Sequence, residues 1–294
     1  MASQWAVLAS GGYDRTVCIW DSTTGERLHV FRADTSQVTS VAWSPDGAWL
    51  ASTSYDQVVR MWDMSTRTCR WVGHAHTSLV HAVCWSPDGS RLATCGGDNT
   101  VRLWQAEDGT LLSTFQGHGE DVASVAWSPD GRRVASGGGG GGRGELLLWD
   151  VESGHFLRSL VGHPSHVFAI AWSPQGDILV SASIDGTLRW WDVERGECLH
   201  TREGHQGWIS SLAISSNGEM LASCGHDGVT HLWEMSSAGR VSTLRGDRPY
   251  ERLSLGETTG LTQAQKTTLR ALGAIDVPDE EWTGPLQSTR DASS

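Results

Sequence analysis

Ser, His and Asp recur together along the 294-residue chain, the combination that hydrolases use for nucleophilic attack. An acyl-transfer site needs one such triad. Here the three types return several times, each time ahead of a Trp, so a structural hydrogen-bond role explains them better than catalysis does. His74 and His76 have the spacing of a metal pair on one strand face, but no Cys or carboxylate cluster completes a site. The run Gly137 to Gly142, followed by Arg143-Gly144, offers backbone N–H groups to a phosphate. It lacks the Gly-Lys-Ser/Thr ending of a P-loop, and no helix pattern follows. It reads as a floppy loop between two strands. Cys18, Cys69, Cys84, Cys95, Cys198 and Cys224 include no C-x-x-C pair and read as reduced thiols, mostly small hydrophobes on strands. No catalytic set, no metal site and no cofactor is expected.

The elements that carry these residues repeat. Trp20, Trp62, Trp104, Trp149, Trp191 and Trp233 lie at intervals of 42, 42, 45, 42 and 42 residues. Trp43, Trp85, Trp127 and Trp172 keep the same rhythm, with Ile214 in the next slot. The single interval of 45 is a three-residue insertion in the glycine run. Each period reads as four short strands. Val38 to Trp43 is one, closed by Ser44-Pro-Asp-Gly47, in which Pro pre-sets the turn and Gly tolerates positive φ. A second begins at Leu50 and ends before a turn carrying Asp56; Val59 to Asp63 is a third; Leu111 to Phe115 exemplifies the fourth. Short strands at this spacing, with a period of 40 to 45, select an all-β propeller.

The sequence resembles the WD-repeat β-propellers over about residues 5 to 247. Gly117-His118, Gly162-His163 and Gly204-His205 supply the Gly-His pair, and Trp20-Asp21, Trp62-Asp63, Trp149-Asp150 and Trp191-Asp192 the Trp-Asp pair. The resemblance implies a hydrogen-bonded tetrad of His, strand Ser or Thr, turn Asp and Trp. By offset, His76, Thr94, Asp98 and Trp104 fill one set. His163, Ser181, Asp185 and Trp191 fill a second, and His205, Ser223, Asp227 and Trp233 a third. A buried imidazole or indole N–H without a partner costs a few kcal/mol, which explains the recurrence. Asp34 replaces the His before Trp62, and Arg143 stands where the Asp before Trp149 belongs, so those two blades are expected to be looser.

The first repeat, about residues 5–33, starts at its second strand: Leu8-Ala-Ser, then Thr16 to Trp20, then Arg27 to Phe31. The expectation is six blades with the first incomplete, one of three strands and five of four. That seam invites edge-mediated self-association or an upstream chain. After Asp247 the rhythm stops. Thr262-Gln-Ala-Gln265 is a capping box and Gly273 a helix stop, so the 248–277 tail is expected to hold a short helix over about 263–272. Residues 278–294 are polar and acidic and expected to be disordered. Arg248-Pro-Tyr-Glu-Arg252, Gly260-Leu-Thr and Ala271-Leu-Gly-Ala are similar to segments ending the WD-repeat regions of bacterial multidomain signalling (STAND-type) ATPases.

A net charge of −12 argues against a sequence-independent grip on nucleic acid. No stretch approaches the apolar length of a membrane span, and Met1 to Val7 shows no secretory pattern, so a cytoplasmic location is expected. Because the repeats are near-copies, the columns that differ among them mark candidate contacts. Before the first Val of each first strand stand Gln37, Leu79, Asp121, His166 and Trp208, and after it Thr39, His81, Ala123, Phe168 and Ser210. Before the turn Asp stand Tyr13, Tyr55, Gly97, Ile184 and His226. Tyr13, Tyr55, His81, Phe168, Trp208 and His226 are thus the partner-binding candidates, rimming one mouth of the channel. The reading is a non-catalytic scaffold for a protein or peptide. Its alternatives are the C-terminal sensor part of a larger signalling ATPase and an enzyme with a polar channel site.

Overall fold

Six antiparallel sheets make up the described residues, 7–32 and 36–245, of this computed structural model. The chain divides into two units, Met1–Leu244 and Arg245–Ser294, and of the second only Arg245 falls within that range. Asp34, the expected helix at 263–272, the 278–294 segment and the stretches resembling signalling ATPases lie outside the described residues.

The first blade has three strands, β1 (Val7–Gly11), β2 (Thr16–Asp21) and β3 (Arg27–Arg32). The second holds β4 (Val38–Trp43), β5 (Trp49–Ser54), β6 (Val58–Asp63) and β7 (Thr68–His74). The third holds β8 (Val80–Trp85), β9 (Arg91–Gly96), β10 (Thr100–Gln105) and β11 (Leu111–Gln116). β12 (Val122–Trp127), β13 (Arg133–Gly140), β14 (Arg143–Asp150) and β15 (Phe156–Ser159) form the fourth. β16 (Val167–Trp172), β17 (Ile178–Ser183), β18 (Thr187–Asp192) and β19 (Glu197–Glu203) form the fifth. β20 (Ile209–Ile214), β21 (Met220–Gly225), β22 (Val229–Glu234) and β23 (Arg240–Arg245) form the sixth. This is the six-blade all-β propeller expected, with its first blade one strand short among the described residues.

Each blade is a meander in which strand order follows chain order. The Ser-Pro-Asp-Gly turns hold Gly47, Gly89 and Gly131 near φ +71°, a conformation that penalises a Cβ. In the first five blades the Trp-bearing strand slips register by one residue against the outermost strand just before its Trp, at Ile19/Trp20, Met61/Trp62, Leu103/Trp104, Leu148/Trp149 and Trp190/Trp191. Such bulges add twist and re-aim the side chain that follows. The Trp thereby turns toward the preceding blade: Trp62 stacks on Phe31 at 4.7 Å, Trp104 on Trp71 at 6.5 Å and Trp149 on Phe115 at 5.3 Å. Those contacts, with fully buried Leu50, Leu92, Val134, Leu179 and Leu221 on the second strands, make the cores between blades. Leu8 occupies the same column and is 59 % exposed, since among the described residues β1 pairs only with β2.

The glycine run is not a floppy loop. Gly137 to Gly140 are paired strand, with Gly140 opposite Arg143, and the connection is the two-residue turn Gly141-Gly142. Both have positive φ, +55° and +87°, as a tight turn matched to strand twist requires. The three inserted residues lengthen a hairpin, because backbone pairing continues where side chains give no reason to stop.

Candidate functional site

The first strands run inward from the end of the blade that bears the His loops, and the second strands return to the Asp turns at that same end. Antiparallel pairing therefore gathers His loop and Asp turn on one face. In the third blade His76 Nδ1 lies 2.9 Å from Asp98, His76 Nε2 lies 2.8 Å from Thr94 Oγ1, and Trp104 Nε1 donates to Thr94 at 2.8 Å. The fifth blade repeats this with His163, Asp185, Ser181 and Trp191 at 3.0, 2.8 and 2.8 Å. The sixth does so with His205, Asp227, Ser223 and Trp233 at 2.9, 2.8 and 2.9 Å. Burial pushes the Asp185 carboxyl up, yet the hydrogen bonds from His163 and Thr187 outweigh it and hold the group at about 2. The same balance of burial against His76 and Thr100 keeps Asp98 well below the ordinary carboxylate range.

The fourth blade corrects an expectation. Arg143 does pair at the start of β14, but the missing Asp is replaced by Glu145, two residues further on. His118 Nδ1 lies 2.9 Å from Glu145, His118 Nε2 lies 2.6 Å from Ser136, and Trp149 donates to Ser136 at 2.8 Å. The lengthened hairpin moves the Asp column away, and the extra methylene of Glu spans the difference. Four residues before a strand Trp, an acid was the signal available in the sequence. In the second blade Arg60 holds Asp56 at 2.8 Å, and Trp62 donates to Ser52 at 2.8 Å.

His74 is exposed whereas His76 is buried and committed to Asp98, so the two imidazoles do not form a pair. Cys69 and Cys198 are exposed on fourth strands, not buried as the strand reading would have them. Outer strands carry one face to solvent. Cys95 is fully buried, and burial pushes the Cys84 thiol up to about 12.

Between the tetrads opens a cavity of about 280 Å³ lined by Tyr13, Gln37, Val38, Thr39, Tyr55, His81, Ala123, Phe168 and Ser210. First strands of five blades contribute to it, which makes it the channel mouth. Tyr13 and Tyr55 meet edge to face at 6.3 Å. Phe168 stacks on Trp208 at 6.0 Å, and Trp208 meets His226 at 5.2 Å, which extends the aromatic surface outward from the cavity. Tyr13 is 76 % and Trp208 48 % exposed. His81 is fixed across the blade boundary by Asp121, 2.8 Å from its Nε2. Burial raises the Asp121 carboxyl, but the His81 bond and charge bring it below its ordinary value. Asp121 and His81 both stand in variable columns; their pairing, 40 residues apart, has no signal in the periodicity.

A larger crevice, about 730 Å³, lies at the opposite strand ends between the third and fourth blades. Its lining mixes Arg91 and Arg132 with Asp150 and Glu152 and has no aromatic residue. Lacking a convergent charge or an anchor pocket, it is the weaker candidate.

Two family models match the chain. The one described as "WDR90, 4th beta-propeller" matches residues 79–257, more than half of its length. The one described as "WD domain, G-beta repeat" matches residues 2–21 and 25–63. No curated protein matches.

Proposed function

The chain belongs to the WD-repeat β-propeller family, a typical protein-interaction scaffold, and from that premise we propose that it captures a protein or peptide at the channel mouth without catalysis. The observation that carries the reading is the pair of exposed aromatic surfaces, Tyr13–Tyr55 and Phe168–Trp208–His226, at one cavity that Tyr13, Tyr55 and Phe168 line and from which Trp208 and His226 extend. Large aromatic side chains immobilised on rigid elements lose little entropy on binding, and they dominate the energetics of interfaces. The tetrads supply that rigidity: each pins a His loop to an Asp or Glu, so the neighbouring slot residues sit in fixed places. No bond needs to be made or broken for this role.

The test replaces Phe168 and Trp208 together by Ala. Partners captured by the wild-type chain should bind the variant at least about 30-fold more weakly, from a loss of about 2 kcal/mol or more. Melting should move by only a few degrees, since both side chains are solvent-facing. Capture that is unchanged in the double variant would overturn the assignment of this face.

A further inference from the structure

His231 breaks a pattern of the third strands. Two positions before the Trp, the second, third and fifth blades carry Arg60, Arg102 and Arg189. Arg60 and Arg102 reach the turn carboxylates of their blades, Asp56 and Asp98, at 2.8 and 3.2 Å. In the sixth blade an imidazole stands there instead, its ring 4.5 Å from that of His205. His205 Nδ1 is 2.9 Å from Asp227, and one ligand atom from each of His205, Asp227 and His231 lies within 4.8 Å of the others. Among the described residues this is the one such grouping of three. Each imidazole is also oriented from its far side: His205 Nε2 meets Ser223 Oγ at 2.8 Å, and His231 Nδ1 meets Thr243 Oγ1 at 2.8 Å. Outer hydrogen bonds of this kind fix the ring and present the other nitrogen to a metal.

The geometry points to a Zn²⁺ site formed by His205 Nδ1, the Asp227 carboxylate and the remaining nitrogen of His231. Two imidazoles and a carboxylate suit zinc, and three protein ligands leave a fourth position for water. Tetrahedral bonds of about 2.0–2.1 Å set ligand atoms about 3.3 Å apart. The His205–Asp227 pair therefore opens by a few tenths of an ångström, and His231 closes by at most about 1.5 Å. As zinc takes Nδ1 of His205, the ring proton moves to Nε2 and is donated to Ser223 Oγ, so the imidazole stays neutral. The His231 proton shifts to Nδ1, where Thr243 accepts it, and the ring gives up its hydrogen bond with the Gly204 backbone. No electron changes hands. Burial and the neighbouring His205 lower the His231 pKa, which favours the neutral ligand form. Asp227 lies on the exposed side and offers the way in. In the third blade the Arg102 guanidinium beside Asp98 repels a cation from the equivalent place.

The experiment titrates the untagged full chain with Zn²⁺ by calorimetry and with Co²⁺ by visible absorption. One ion per chain is expected. His231→Arg restores the residue of the second, third and fifth blades, so it should fold normally and weaken binding more than 100-fold. Thr243→Val, which removes an outer partner, should weaken it about 10- to 100-fold. His231→Gln serves as the second variant if the Arg form melts early. No binding, or binding of the same strength in the His231 variants, overturns the site.

Discussion

Replacing Asp185 by Ala removes the acceptor of three hydrogen bonds, from His163 Nδ1 at 3.0 Å, Thr187 N at 2.7 Å and Thr187 Oγ1 at 2.6 Å. His163 is almost wholly buried and the Asp185 side chain is 11 % exposed, so water replaces these bonds poorly. The carboxyl titrates at about 2 in the folded chain and near 3.9 when unfolded. Linkage converts that difference to about 2–3 kcal/mol of stability at neutral pH. With about 2–4 °C per kcal/mol for a domain of this size, the melting temperature should fall by about 4–12 °C. The folded pKa is depressed, so this stability is present above the unfolded value and is lost as pH falls through the folded one. Scanning calorimetry on both forms should therefore show the gap at pH 7 persisting to about pH 5, then narrowing toward pH 2. A variant that melts with the wild type at pH 7, or a gap that stays constant down to pH 2, refutes the tetrad argument.

Three further outcomes follow from the same geometry. Glu145→Ala should destabilise the fourth blade by about 1–3 kcal/mol by stranding His118, while Arg143→Ala should stay within about 0.5 kcal/mol; chemical denaturation distinguishes them, and the reverse order would restore Arg143 to the tetrad column. At Gly138 a Cβ would clash with the Asp121 carbonyl oxygen, so Gly138→Ala should lower the melting point, whereas Gly141→Asn, at a φ of +55° that Asn accepts and facing only the flexible end of Glu120, should leave it nearly unchanged. In thiol labelling of the native chain followed by mass spectrometry, Cys69 and Cys198 should react first, and Cys84 and Cys95 only on unfolding.

The repeat itself was legible because its signals are local and recur in register. Ser-Pro-Asp-Gly turns, alternating strands and Trp columns each follow from a few neighbouring residues, and the 42-residue spacing aligns them. Offset alone placed His76 on Asp98, His163 on Asp185 and His205 on Asp227, since a fixed period fixes which loop meets which turn. The insertion at the glycine run is where that logic stopped. Offset pointed to Arg143, and only the hairpin geometry puts Glu145 against His118.

The sequence by itself thus determined the blade count, the framework hydrogen bonds and the columns free to vary. Tertiary structure alone decided how the variable residues combine. Phe168 stacking on Trp208, His81 bonded to Asp121, and His231 drawn beside His205 each join residues of different strands or blades. The physical reason is that the period specifies where a side chain stands on the frame, whereas contact between two of them depends on blade twist and side-chain reach. Neither quantity is written in the spacing.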